Sequence, residues 1–148
     1  MLRSLSVCLA LAVGSVSTTA IAAGDPILIR QKIMKSSGGA AGVSGGMMKG
    51  EIAFDAKVAT AAIRTLNAAA YTYGNFFPEG SDTGMKTRAS PKIWQDMAGF
   101  EAKLAQFQKD TDAAAAAKPQ DLDAFKAAMG PVLGNCKGCH EVYQLPKE

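Results

Sequence analysis

Two cysteines and a histidine lie close together near the C-terminal end of the chain. Residues 136–140 read Cys-Lys-Gly-Cys-His, and a Cys-x-x-Cys-His order is the attachment signature of c-type haem. Each thiol can add to one haem vinyl group, and the histidine can then give an imidazole nitrogen to the iron. On a helix, Cys136 and His140 share a face as i and i+4, with Cys139 beside them. The spacing therefore predicts one covalent haem c, attached through Cys136 and Cys139, with His140 as an axial ligand of the iron.

Three other chemistries also use closely spaced cysteines. A thioredoxin-type Cys-x-x-Cys needs a strand followed by a helix and has no adjacent histidine. A zinc site needs a fourth ligand, and His140 is the only histidine in the chain. A structural disulfide would leave the histidine unexplained. Haem attachment is the chemistry that accounts for all three residues.

The N-terminal segment has the pattern of an export signal. Arg3 supplies a positive charge, residues 5–16 form a short apolar run, and residues 20–22 read Ala-Ile-Ala, as before a cleavage point. We therefore predict a cleaved signal peptide over residues 1–22, a single domain over residues 23–148 and a periplasmic location. Export fits the haem motif, because bacterial c-type haem is attached outside the cytoplasm.

The charge balance excludes some classes of partner. The chain has 16 Lys and Arg against 13 Asp and Glu, for a formal net charge of +3. A balance so close to neutral does not indicate nucleic-acid binding. No stretch after the predicted signal is long and apolar enough for a membrane anchor. We expect neither a nucleic-acid partner nor an anchor.

Apolar residues recur with helical spacing along the rest of the chain, and no strand pattern competes with them. The third helix is expected to run without a break from Ser90-Pro91 through an apolar stripe that ends at Phe107. The predicted fold is all-α, an antiparallel four-helix bundle with a covalent haem near one end. The four helices are predicted to begin near Asp25, Asp55, Ser90 and Asp121, and the second to end near Ala70.

Two stretches depart from this helical pattern. Five glycines within residues 38–46 lower the helix propensity of the first segment, so either the helix breaks there or packing overrides propensity. A loop over about residues 73–90 follows the second helix and contains Phe76 and Phe77. Because two adjacent exposed phenylalanines are unfavourable, at least one should fold inward. We expect Phe77 to form part of the wall of the haem pocket.

With its haem motif on the last helix, the chain resembles the class II c-type cytochromes, the cytochrome c-prime family. The common class I cytochromes c carry this motif near the N-terminus instead. The resemblance covers essentially all of residues 23–148, and it also rests on Arg30-Gln31 and on residues 90–94, Ser-Pro-Lys-Ile-Trp. It implies a left-handed four-helix cytochrome domain, often a homodimer packed through its first two helices.

The resemblance also assigns roles to particular positions. It implies that Arg30 and Gln31 lie near the haem propionates, whereas the residues alone predict a solvated helix position for Arg30. Three residues after the glutamine, low-spin members carry a methionine that supplies the sixth iron ligand, and this chain has Met34. Spacing alone favours core packing for Met34. The chain departs from the family at Gln144, where an arginine often lies four residues after His140, and this weakens a gas-responsive function.

Together these features predict a periplasmic one-electron carrier that serves redox partner proteins and does not act as an enzyme. A thioether from Met34 opposite His140 would favour ferrous iron and raise the reduction potential. The alternative is a five-coordinate, high-spin protein that binds nitric oxide or carbon monoxide, which requires Met34 to be off the iron or easily displaced. A haem subunit docked to a larger dehydrogenase is a third possibility.

Overall fold

The computed structural model describes residues 24–146, which contain four long helices and two short helical segments joined by loops. The predicted signal peptide lies outside the described residues. Within residues 24–146, no helix is both long and apolar enough to cross a membrane. A 3-10 turn over Tyr73–Phe76 follows the second helix. The α-helices, in chain order, are α1 Pro26–Lys49, α2 Ala56–Thr72, α3 Lys92–Gln95, α4 Met97–Ala117 and α5 Leu122–Tyr143.

The four long helices form an antiparallel bundle, as predicted. The α1 helix packs against α2 and α5, and α4 packs against the same two helices. Hydrogen bonds show the opposite directions of α2 and α4. Asn67 Nδ2 donates to Thr111 Oγ1 at 3.1 Å, and one turn later on α2, Ala70 O accepts from Gln108 Nε2 at 3.1 Å.

Three of the long helices begin at aspartates that the sequence indicated as their starts. The side chain of Asp25 accepts from the Ile27 amide at 2.8 Å, and Asp55 accepts from the Lys57 amide at 2.8 Å. Asp121 accepts from the amide of Ala124 at 2.8 Å. Each bond satisfies an amide that has no partner inside its helix, and such caps typically contribute about 1 kcal/mol.

The α1 helix is continuous through its five glycines, so packing overrides propensity. Met47, near the end of α1, is 0% exposed and joins a core cluster with Leu66, Phe125 and Met129. The five glycines together weaken the helix by up to about 5 kcal/mol. Burial of several α1 side chains, with Ile27 and Met47 buried and Val43 and Met48 partly buried, offsets this at about 1.5–3 kcal/mol for each fully buried one. The helix ends at Gly50, whose φ of 79° is in the left-handed region that favours glycine.

The prediction of one unbroken third helix is wrong, because the chain leaves helical geometry at Asp96. This residue has φ −138° and ψ 56°, and it separates α3 from α4. Its carboxylate accepts from the Gly99 amide at 3.1 Å and from the Tyr143 hydroxyl at 2.8 Å. Asp96 therefore caps α4 and ties its first turn to the end of α5. The N-cap of α3 is Pro91, one residue later than the predicted cap at Ser90, although the Ser90 hydroxyl accepts from the Lys92 amide at 3.2 Å.

A Gly99→Ala substitution is expected to lower the free energy of unfolding by about 1–3 kcal/mol. A Cβ atom at Gly99 would collide with the carboxylate of Asp96 and the hydroxyl of Tyr143, so the Asp96–Tyr143 bond would have to shift. Guanidinium denaturation of the holoprotein measures the change.

The matched control is Gly39→Ala, where an added Cβ meets nothing within 4 Å. This variant should gain up to about 1 kcal/mol, because alanine is the better helix former. Equal stability changes in the two variants would contradict the close packing at Gly99.

Candidate haem site

A cavity of about 850 Å³ opens between α1, α4, α5 and the loop that precedes α3. Its volume falls within the range of small-molecule and cofactor sites. Two aromatic side chains form part of its lining, Phe100, which is buried, and Tyr73, which is half-buried. Phe100 belongs to a second core cluster, and Tyr73 packs against that cluster. The predicted site residues that line the cavity are Arg30, Gln31, Met34, Cys136, Cys139 and His140.

The two cysteines lie on α5, and both are half-buried at the cavity. They are not bonded to each other. Burial raises the pKa of the Cys136 thiol, and it also raises that of Cys139, although the charge of Lys103 acts in the opposite direction. Both side chains are therefore neutral thiols at neutral pH. This placement leaves each of them able to form a bond to a group in the cavity.

His140 lies at the edge of the same cavity and keeps more than a third of its surface exposed. Partial burial of the ring lowers the pKa of His140, and the positive charge of Arg88 lowers it further. A lower pKa favours the neutral imidazole at neutral pH. Neutral imidazole is the form that can ligate a metal.

Met34 is half-buried on α1 and lines the cavity from a different helix than His140. Met85 also lines the cavity, but it is 44% exposed in the loop before α3 and follows Gly84, whose φ is 111°. The cavity therefore has two thioethers within its lining. The position of Met34 is fixed by a continuous helix, whereas Met85 is held by a loop.

Arg30 is 3% exposed, so the solvated position predicted from the residues alone is wrong. Its Nη1 donates to Phe76 O at 2.9 Å and to Ser81 Oγ at 2.8 Å, and its Nη2 donates to Ser81 O at 2.6 Å. The guanidinium stacks 4.6 Å from the centre of the Phe77 ring. Burial lowers the pKa of Arg30, but a guanidinium remains charged. Its Nε is buried and has no partner.

Of the two other predicted pocket residues, Gln31 lines the cavity and Phe77 does not. Gln31 is exposed, lines the cavity, and donates from Nε2 to Lys86 O at 2.7 Å. Phe77 is 6% exposed and folds inward, as expected for one of the two adjacent phenylalanines. It is not in the cavity lining, which corrects the prediction that it forms the wall. It packs behind the lining, edge-on to Phe100 at 4.7 Å and to Tyr73 at 5.0 Å.

Three basic residues in the lining were not predicted as site residues. Lys86 and Arg88 come from the loop before α3, and Lys103 comes from α4. Lys103 Nζ lies 3.9 Å from the position that a Cβ would take at Gly138, between the two cysteines. The loop that carries Lys86 and Arg88 has no periodic pattern, and a single lysine on a helix, such as Lys103, is usually a solvated residue. The sequence therefore did not indicate that these three residues line the cavity. Together with Arg30, they make four cationic residues in the lining, and none of the lining residues carries a carboxylate.

These features fit a haem. The cavity presents apolar and aromatic walls for a macrocycle, and its cations suit the two propionates. Two buried polar atoms without partners, Arg30 Nε and Ser37 Oγ, belong to residues of the lining. A buried donor without a partner is unfavourable by about 1–3 kcal/mol, so both atoms favour a polar group in the cavity. Cys136, Cys139 and His140 supply the donor set of a c-type attachment site.

Replacing Arg30 by methionine is expected to lower the free energy of unfolding by about 1–3 kcal/mol. Methionine keeps much of the apolar contact with Phe77 but leaves the carbonyls of Phe76 and Ser81 without their donor. Chemical denaturation of the holoprotein measures the change.

Lys32→Ala is the control on the same helix for this prediction. Lys32 is exposed and does not line the cavity, so its replacement should change the stability by no more than about 0.5 kcal/mol. The interpretation of Arg30 as a buried anchor would be wrong if the two variants were equally stable.

The four-helix bundle and its cavity define a c-type cytochrome with its haem motif on the last helix. Residues 25–144 match the sequence model of the family described as cytochrome C'. The chain belongs to this family, the class II c-type cytochromes, and its cofactor is covalently bound haem c.

Relatives with two different names are similar to the chain. Cytochrome c-556 of Agrobacterium fabrum is 35% identical over 134 residues, which cover 90% of each protein. The solved cytochrome c' of Rhodopseudomonas palustris is 35% identical with a TM-score of 0.79, covering 85% of this chain and 100% of that one. A nitric oxide complex of a mutant cytochrome c prime from Alcaligenes xylosoxidans is 30% identical with a TM-score of 0.71, covering 82% and 94%.

Proposed function

We propose that this cytochrome is a periplasmic one-electron carrier whose haem is attached through Cys136 and Cys139 and ligated by His140 and Met34. The observation that carries this proposal is that these four side chains line one cavity although they come from two helices. The 35% identity to a cytochrome c-556 is consistent with the low-spin, methionine-ligated branch of the family.

Each side chain has a separate task in this proposal. The haem iron supplies the chemistry, which is the reversible gain and loss of one electron. Cys136 and Cys139 hold the macrocycle to α5, so that it is retained through many cycles. His140 gives a neutral nitrogen, and Met34 gives a soft thioether that favours the ferrous state and raises the potential. With His140 and Met34 both holding the iron, little in the chain would have to rearrange on gain or loss of an electron.

Arg30 and Gln31 are proposed to hold the propionates. Arg30 brings a charged guanidinium with an unpartnered Nε to the cavity, and the bonds to Phe76 and Ser81 fix its position. Charge-assisted hydrogen bonds to carboxylates are stronger than neutral ones. Gln31 offers its amide from the exposed side of the same helix. Ser37 supplies another hydroxyl without a partner.

A spectroelectrochemical titration of the holoprotein tests the carrier function. We expect a single reversible one-electron transition, with low-spin spectra at both ends of the titration. An irreversible transition, or loss of the low-spin bands on reduction, would contradict a carrier in which both axial ligands persist.

Binding of nitric oxide or carbon monoxide is the second candidate function. It is favoured by the relative from Alcaligenes xylosoxidans, which was solved as a nitric oxide complex. The function requires Met34 to leave the iron. The continuous α1 helix does not favour this, because its glycines do not interrupt the helix that carries Met34. The response to carbon monoxide distinguishes the two candidates.

The partners in this proposal are redox proteins of the periplasm, and no bond-making catalysis is proposed. We further propose a homodimer packed through α1 and α2, as the family resemblance implies. Leu28 on α1 and Val58 on α2 are 43% and 42% exposed, and such apolar surface is suited to a helix-to-helix contact. Sedimentation of the holoprotein would show whether it is a dimer.

A further inference from the structure

The backbone of Arg88 is fastened to the end of the helix that carries the haem motif. The Ser90 amide donates to Tyr143 O at 3.0 Å, and the Leu145 amide donates to Arg88 O at 2.8 Å. These bonds form an isolated antiparallel bridge between Ala89 and Gln144. Arg88 therefore has a fixed position relative to α5, although it belongs to a loop.

The guanidinium of Arg88 is held by neutral acceptors. Its Nε and Nη2 donate to Leu145 O at 3.0 and 2.8 Å, and Nη2 also donates to Gln144 Oε1 at 3.0 Å. None of these acceptors carries a charge, so the bonds fix the guanidinium without neutralising it. The side chain is half-buried, which reduces the screening of its charge by water.

This charge lies on the side of the cavity where His140 is found. Gln144 follows His140 by four residues, and its amide donates to His140 O at 3.2 Å. Arg88, Gln144 and His140 all line the cavity.

From this geometry we infer that Arg88 is a positioning residue that sets the reduction potential of the iron bound by His140. Ferric iron carries one more positive charge than ferrous iron, so a fixed cation nearby disfavours the ferric state. Three hydrogen bonds tie the side chain of Arg88 to the end of α5, so its charge has a fixed position in the lining. The inference rests on the proposed ligation by His140.

Reduction potentials of charge variants of the holoprotein test this inference. Arg88→Gln removes the charge and is expected to raise the ferric-to-ferrous ratio about fivefold at a fixed ambient potential. This corresponds to a reduction potential lower by about 40 mV, at about 59 mV per tenfold change in the ratio. Arg88→Lys keeps the charge and should stay within about twofold of the wild type. Arg64→Gln is the matched control, because Arg64 is exposed on α2 and does not line the cavity.

A second variant keeps the test informative if Arg88→Gln does not fold. Gln144→Glu places a carboxylate on the Nη2 of Arg88 and should shift the ratio in the same direction. The inference is overturned if neither variant shifts the ratio by more than about twofold. It is also overturned if Arg88→Lys shifts it as far as Arg88→Gln, or if Arg64→Gln shifts it equally.

The spectrum of the wild type tests the proposed Met34 ligation independently of the Arg88 variants. A wild-type spectrum that is high-spin contradicts ligation by Met34 before any variant is compared. The Arg88 variants are compared with the wild type at the same spin state, so a missing shift in potential counts against Arg88 alone.

Discussion

A Met34→Ala variant of the holoprotein is expected to lose the low-spin spectrum and become high-spin in both redox states. Alanine cannot reach the iron, so the position proposed for the thioether would be left open. The ferrous variant should then bind carbon monoxide to saturation, whereas the wild type should not respond. Optical spectra of the ferric, ferrous and carbon monoxide-treated variant measure all three changes.

Met85→Ala is the matched control for this result. Met85 is the other methionine of the cavity lining, but it lies 44% exposed in a loop. Its removal should leave the low-spin spectrum unchanged. If Met34→Ala stays low-spin and Met85→Ala turns high-spin, the loop methionine is the sixth ligand and the assignment to Met34 is wrong.

A Cys136→Ser, Cys139→Ser double variant is expected to lose all covalently attached haem. A hydroxyl does not form the thioether that links a thiol to a haem vinyl group, and both thiols of the site are removed. Haem staining of a denaturing gel should show no band at the mass of the chain. Each single variant should keep one link and a weaker band.

Cys8→Ser is the control for the cysteine variants. Cys8 lies within the predicted signal peptide, outside the described residues, and no role is assigned to it. Its substitution should leave the haem content of the exported protein unchanged. Covalent haem at the wild-type level in the double variant would contradict attachment through Cys136 and Cys139.

The long helices could be predicted because their signals are local. Asp55 and Asp121 each cap a helix through their own following amides, and the apolar stripes of these helices face the core. The break at Asp96 could not be predicted from the apolar stripe alone. The apolar spacing through Ile93 and Met97 continues across the break and indicated one helix. The Asp96 carboxylate caps α4 at Gly99 and is also held by the Tyr143 hydroxyl, 47 residues away in sequence.

The site was predictable only in part, because some of its residues come together through contacts between segments that are distant in sequence. The motif of Cys136, Cys139 and His140 is contiguous, and one helix presents all three to the cavity. The assignment of Met34 as a site residue required the family resemblance, since its spacing alone favours core packing. Arg88 became visible only in three dimensions, because a single backbone bridge brings its loop to the end of α5. The burial of Arg30 likewise depends on a loop, through its bonds to Ser81.

The addition of carbon monoxide to the ferrous wild-type holoprotein tests the proposed His140 and Met34 ligation most directly. Sharp low-spin bands that carbon monoxide barely disturbs are the predicted result, because both axial positions are filled. A broad high-spin ferrous spectrum that shifts at once with carbon monoxide would contradict ligation by Met34. It would establish a five-coordinate, gas-binding cytochrome c' in its place.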